Sequence, residues 1–395
     1  MRKTYYILSL AFFLGFVSVY AQTDDTKKAD KYFQRLEYVK AIEEYEDLVE
    51  DGDGTPYIYH QLAEAYFNIY NTEKSEYYYK MYIQEADDVD GTVYYRYAQM
   101  LKANQKFDES NEAMKKFASK SPNDERAKAF KANPDYLPKL LSGDPKFTVD
   151  AISFNTELSD FGGYEYNDKL YFVSARNKSR RNYGWNDQPT LDVYVATKEN
   201  GEYQNPEELK GEVNSKYHEG TVSITPDGKT MFFTRNNYLD GDYEKSSEGI
   251  GKLKIYKANL VNGKWDDVQE LPFNSDEYST GHTALSPDGK TLYFSSDMPG
   301  GMGMSDLYKV SINEDGSFGE PENLGSSINT EARESFPYID SEGTLYFSSD
   351  GQLGIGGLDV FYAKADGDGF SSVKNMGQPI NSTGDDFAFT FNINE

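Results

Sequence analysis

The chain has 395 residues, room for two or three domains, and no cysteine, which excludes disulfides, thiolate metal sites, cysteine nucleophiles and a lipid anchor on an N-terminal cysteine. Its net charge of −26 would repel a phosphate backbone, which argues against nucleic acid as a partner. Aromatic residues make up 15% of the sequence, 34 of them tyrosines, so a disordered acidic polymer is excluded and packed cores are required.

The first residues combine two cations, Arg2 and Lys3, with an apolar run from Tyr5 to Val17 and the sequence Val19-Tyr20-Ala21 before Gln22. This is the pattern of a secretory signal peptide over residues 1–21, and the run is too short for a stable transmembrane anchor. No transmembrane segment is expected after cleavage, and an exported chain without disulfides must draw its stability from its cores.

Residues 22–135 carry apolar positions at helical spacing, with small residues recurring at Ala41, Ser75 and Ser110, intervals of 34 and 35 residues. Around them the pattern resembles the tetratricopeptide repeat. The residues that carry the likeness are Tyr59, Leu62, Ala63, Tyr66, Ser75 and Tyr79 in the second copy and Tyr94, Ala98, Leu101, Ser110, Phe117 and Pro122 in the third. Ala29, Tyr32, Ala41 and Tyr45 form a degenerate first copy. Stacked helical pairs of this kind curve into a concave face. Tyr57, His60, Glu64, Phe67, Asn68, Tyr95, Gln99 and Lys102 are the candidate partner-binding residues on it.

After a linker at 136–146, residues 147–395 change to short runs rich in Tyr, Phe, Val and Thr, punctuated by Gly, Asn and Asp. A unit repeats there: ITPDGKTMFFTRN from Ile224, LSPDGKTLYFSSD from Leu285 and IDSEGTLYFSSD from Ile339, with a weaker YNDKLYFVSAR from Tyr166. A third strand follows each, at Leu191, Leu253, Asp306 and Leu358, and then an outer segment of the type EPENLGSSINT. Tight Asp-Gly turns between three or four strands, repeated at this period, predict the blades of a β-propeller. The fold class is thus a multidomain chain, α then all-β: a tetratricopeptide-repeat domain followed by a propeller of about five blades. The last blade is incomplete, because the C-terminal residues restart a blade at Asn381 without its middle strands, which reads as a truncated form.

The export signal, the helical repeats and blades with PDGKTLYFSSD and GGxGxxDLY together resemble the TolB-type, WD-repeat-like propellers of Bacteroidetes OmpA-family proteins, including a type IX secretion component. The resemblance implies a periplasmic protein at the outer membrane, acting as a non-catalytic scaffold with outer-membrane or secretion-machinery proteins as partners. The alternative is a sensor propeller for a small ligand, glycan or metal. The carboxypeptidase-regulatory-like and OmpA-like domains usual in that family are not found in this sequence, so peptidoglycan binding is not carried over.

Catalytic patterns are sparse. No Gly-x-Ser-x-Gly elbow occurs, and the glycine-rich loops Pro299–Asp306 and Gly351–Asp359 precede strands, where a phosphate loop needs a helix. His218 and Glu219, His282, Arg333 and Glu334, and Asp385 and Asp386 fall near the starts of successive inner strands. They are expected to gather at one mouth of the channel, without a metal or cofactor. The acidic turns Asp51–Gly54, Asp240–Asp242 and Asp366–Gly369 lack the full spacing of a calcium loop.

Overall fold

The computed structural model describes residues 25–391 apart from 144, 146 and 368, so the signal-peptide reading at 1–21 lies outside the described residues. Eight helices come first: α1 (Lys27–Gln34), α2 (Tyr38–Glu50), α3 (Pro56–Asn68), α4 (Thr72–Glu85), α5 (Gly91–Ala103), α6 (Phe107–Lys120), α7 (Glu125–Ala132) and α8 (Tyr136–Leu141). Several starts are written locally. Thr55, Asn71, Asp90 and Asp124 each accept a hydrogen bond from a backbone N–H of the first helical turn, and Pro56 follows Thr55 where its missing N–H costs nothing.

The helices form antiparallel pairs with a repeated joint. Leu36, Tyr70 and Gln105, spaced 34 and 35 residues apart, each hold a left-handed φ between 57° and 59° in the turn inside a pair. The small residues do what their size allows: Ser75 Oγ donates to Ala63 O at 2.9 Å and Ser110 Oγ to Ala98 O at 2.8 Å, fastening α4 to α3 and α6 to α5. Two aromatic-rich cores result, one around Tyr45, Leu62 and Tyr79, the other around Leu101, Phe117 and Phe130. Residues 136–141, within the stretch read as a linker, form α8, and Tyr136 and Leu137 are buried in the second core.

Four four-stranded antiparallel sheets follow, arranged as propeller blades. From inner to outer strand, blade one is Asp160–Tyr166, Lys169–Ser174, Asp192–Glu199 and Glu202–Glu208, and blade two is Glu219–Ile224, Thr230–Asn236, Leu253–Val261 and Lys264–Glu270. Blade three is Thr280–Leu285, Thr291–Ser296, Asp306–Ser311 and Glu322–Asn323, and blade four is Glu334–Ile339, Leu345–Ser349, Asp359–Ala363 and Lys374–Asn375. The second strands are buried because they pack between neighbouring blades: Met231 and Phe233 share a core with Tyr171 and Val193 of blade one, and Leu292 and Phe294 share one with Phe232 of blade two.

The predicted turns carry the chemistry expected of them. Asp227 accepts from Thr225 Oγ1 and Lys229 N, Asp288 from Ser286 Oγ and Lys290 N, and the glycines that follow adopt φ of 70° and 68°, a region that suits glycine. The blade count differs from the expected five. The stretch 386–391 enters the gap between blades four and one and forms no ladder: Thr390 Oγ1 donates to Gly163 O at 2.7 Å, and Phe387 packs on Phe161 and Phe336.

Among the described residues, no helix is long and apolar enough to cross a membrane.

Candidate functional site

The helical face predicted to recruit a partner is already occupied, by the propeller. Tyr95 Oη donates to Asp350 O, Gln99 Nε2 to the same oxygen at 2.9 Å, and Lys102 Nζ to Gly354 O at 2.9 Å. Tyr70 Oη reaches Thr383 O, and Trp185, from a loop of blade one, inserts among the helices, donating to Asn68 O at 2.8 Å and packing edge-on against Tyr38. The glycine-rich loop at 351–359 is therefore the seat of the helical domain. Its glycines permit a close backbone approach, and Asp359 holds it from the next strand by accepting from Gly356 N.

The remaining predicted helical residues turn inward. Tyr57 donates to Asp30, Glu64 accepts from Tyr79 Oη at 2.7 Å and pairs with Arg96, and Phe67 lies under the Arg96 guanidinium. His60 sits 3.5 Å from Glu64, but burial lowers its pKa to about 4, so it is neutral there at pH 7.

At the covered mouth, Phe67, Asn68, Tyr70, Gln99 and Met100 face Arg333, Asp350, Gly357 and Asp385 across a cavity of about 40 Å³. The two predicted groups of residues thus meet each other. Arg333 is bonded to Asp350, Nε to Oδ2 at 2.8 Å, and Asp385 accepts from Leu358 N at 2.8 Å; burial raises the Asp385 pKa to about 6.

The strand-start carboxylates are internal fasteners. Glu219 accepts from Ser215 Oγ at 2.6 Å, Glu334 from Thr330 N, Thr330 Oγ1 and Ser349 Oγ, and Asp386 from Ser382 N. Burial pushes Glu219 and Glu334 up to about 8. Each belongs to a recurring unit in which an Asn-Ser or Asn-Thr pair precedes the carboxylate. The Asn side chain of Asn214, Asn329 and Asn381 bonds the backbone N–H and C=O of Val193, Leu307 and Val360 respectively, a clamp on the previous blade's third strand.

The expected cluster at a single mouth is corrected in one further respect: the two histidines do not meet. His218 accepts from Leu191 N on Nδ1 at 3.2 Å and packs against Tyr183, whereas His282 lies within an inner strand against Phe336, ring centroids 3.9 Å apart. Burial lowers both to about 4. A repeated β-bulge explains the second placement. His282, Phe336 and Gly162 occupy the same bulge, with φ of 55°, 50° and 67°, which turns the His282 ring into the channel.

The channel itself holds the large cavity, about 570 Å³, bounded by the inner strands of all four blades and by 388–391. Tyr164, Tyr166, Phe336, Tyr338, Phe389 and Phe391 supply its aromatic wall, and Phe161, Phe336 and Phe387 pack into a floor toward the helical side. Glu165, which pairs with Lys198 at 3.7 Å, Asp340 and Glu342 are its charged lining, and among the described residues no lysine or arginine lines it. His282 Nδ1 and Thr221 Oγ1 are buried there without a hydrogen-bond partner. Apart from His282, these residues were missed in the sequence, although the aromatics at i and i+2, 164 and 166, 336 and 338, 389 and 391, carry the period of one strand face.

No protein-family model matches the chain, and no curated protein does. Among solved structures it is similar to a puromycin hydrolase, at 15% identity and a TM-score of 0.34 over 56% of this chain and 39% of that one. It is also similar to a thermostable family-43 glycoside hydrolase, at 15% identity and a TM-score of 0.37 over 58% and 76%. A third is the alpha-L-arabinofuranosidase from Lactobacillus brevis, at 13% identity and a TM-score of 0.36 over 56% and 71%. The match spans about two fifths of the puromycin hydrolase, and the likeness is one of propeller architecture. The expectation of a scaffold that recruits its partners through the helical face is overturned, because that face is buried against the propeller within the chain.

Proposed function

We propose that the propeller channel takes up a small, ring-bearing organic molecule of neutral or positive charge, with the helical domain covering the far mouth. The observation that carries this reading is the 570 Å³ cavity, whose lining joins six aromatic rings to three carboxylates and no cationic side chain. An anion entering it would lose water and gain no counter-charge, whereas an ammonium group or a sugar face finds aromatic faces, and His282 and Thr221 offer unpaired polar atoms. Uptake of this kind serves turnover as well as retention. The spacing of Ser75 and Ser110 and the left-handed joints at Leu36, Tyr70 and Gln105 support reading the helical pairs as tetratricopeptide repeats. Residues 1–21 and the resemblance to OmpA-family propellers support an exported, periplasmic setting.

The test is calorimetric titration of the full chain with choline, a neutral disaccharide and glucuronate, with analysis of the disaccharide for cleavage. Choline or the disaccharide should bind, glucuronate should not, and Tyr338→Ala should weaken binding at least tenfold. Equal binding of glucuronate, or none by any of the three, overturns the reading.

A further inference from the structure

Most polar side chains that line the channel cavity are already engaged within the chain. Tyr164 Oη donates to Ile224 O at 3.2 Å, Tyr166 Oη to Pro226 O at 3.1 Å and Tyr338 Oη to Phe391 O at 3.5 Å, so these rings present their surfaces and no free hydroxyl. Thr283 shares a hydrogen bond with Ser223 at 2.9 Å, Ser286 Oγ donates to Asp288, and Thr390 Oγ1 donates to Gly163 O. Glu165 pairs with Lys198, Asp340 is bonded in its turn, and Asn167, Ser341 and Glu342 are exposed at the rim. Below the rim this leaves His282 and the enclosed Thr221 hydroxyl without a partner.

Three features meet at His282. Its backbone is left-handed, with φ of 55°, in the inner-strand bulge that elsewhere holds Gly162 and Phe336, and of these three His282 alone has a polar side chain. Its imidazole makes no hydrogen bond among the described residues, although its backbone N donates to Thr234 Oγ1 at 2.9 Å. The ring lies against Phe336, which with Phe161 and Phe387 forms the floor of the channel. A strained bulge thus holds a partnerless polar ring at the bottom of a cavity, the combination expected of a group kept for a ligand.

The surroundings decide what this ring can offer. Burial lowers its pKa to about 4, so at pH 7 the imidazole is neutral and carries one N–H. Nδ1 is enclosed with no partner, and an enclosed N–H without an acceptor costs more than an enclosed lone pair. The proton therefore resides on Nε2, the nitrogen that the half-buried ring has left for the lumen. On the reading of the channel as a ligand site, we infer that His282 is its specificity-determining donor, with Nε2–H donating to an oxygen of a neutral saccharide whose ring lies on the aromatic wall. An ammonium group has no lone pair with which to accept from this donor. An anion would give up its water at a phenylalanine floor for a single neutral N–H. A sugar brings hydroxyl and ring oxygens as acceptors and a C–H face for the rings, and the cavity of about 570 Å³ is of the size that small ligands occupy.

The test is nuclear magnetic resonance of the full chain labelled with nitrogen-15, with cellobiose, maltose, lactose and choline as probes. The chain has three histidines, so the His282 signals are assigned by their loss in His282→Gln. At least one disaccharide should shift the His282 Nε2 resonance, and choline should bind without shifting it. His282→Phe removes the donor and inserts the residue that the same bulge already holds at Phe336, which favours retention of the fold. It should weaken disaccharide binding about tenfold, the scale of one lost hydrogen bond, and change choline binding by less than about twofold. Should that variant fail to fold, the Nε2 resonance of the unaltered chain decides. Disaccharide binding that shifts no His282 nitrogen, or that is equal in His282→Phe, overturns the assignment. Choline binding with no disaccharide binding overturns it too and leaves the reading of the channel standing, whereas binding of none of the four overturns both.

Discussion

The two mouths of the channel are built from the same repeat, yet they differ in what their polar groups have left to offer. At the helical side Arg333, Asp385, Gln99 and Lys102 all have partners within the chain. On the side of the Asp-Gly turns the wall is aromatic; Glu165 pairs with Lys198 and Asp340 is bonded in its turn, but Glu342 is exposed at the rim and His282 and Thr221 keep unpaired atoms. Charged residues around an opening therefore identify a site only after their internal partners have been counted.

The sharpest way to break this contrast is to remove a buried charge from the covered mouth. Lys102 is buried, which lowers its pKa, and it lies close to Asp359, whose pKa burial raises to about 7. Lys102→Met should cost about 1–3 kcal/mol of docking, because the Gly354 carbonyl loses its buried donor. Calorimetric melting should then resolve a helical and a propeller transition. An unchanged single transition would show that the mouth is closed by the apolar contacts alone.

A smaller effect comes from pH and separates the two mouths by their histidines. His218 and His282 titrate at about 4 in the fold against an ordinary value of about 6.5, because burial penalises their charged forms. The folded pKa is depressed, so their contribution is fully present above about pH 6.5 and is lost as pH falls toward 4. Glu219 and Glu334, raised to about 8, act oppositely and favour the fold least above that pH. Between pH 6.5 and 4.5 the two pairs offset each other, so the informative quantity is the difference between chains: the melting temperature of His282→Gln should rise relative to the unaltered protein as pH falls from 6.5 to 4. An unchanged slope in the variant would mean that the channel histidine is hydrated in the fold.

Much of the architecture was legible because it repeats. The second and third strands of the blades lie where LYFSSD and LDVFYA were read, since an Asp-Gly turn and two-sided packing leave few alternatives. Pairing between distant residues was not legible. Nothing local to Tyr95, Gln99 or Lys102 shows that their partners lie some 250 residues later in the same chain. The two histidines looked equivalent because each was read near the start of an inner strand, but His218 stands nine residues before Asp227 and His282 only six before Asp288. With a bulge between them in strand register, that difference places one ring outside the strand and the other in the lumen.

The smallest predicted effect tests whether the charge of the open mouth matters. Glu342 is exposed at the rim of the cavity, and Asp340 beside it is occupied in the turn, where it accepts from Glu342 N and Thr344 N. Glu342→Lys therefore reverses one charge without removing a fold contact. At low ionic strength it should weaken choline binding about two- to fivefold, the scale of one exposed charge, and leave a neutral disaccharide unaffected. At about 1 M salt, where screening acts over about 3 Å, the difference should vanish. A loss that persists at high salt would mean that the Glu342 side chain touches the ligand directly, and the rim would then belong to the binding site itself and not only to its field.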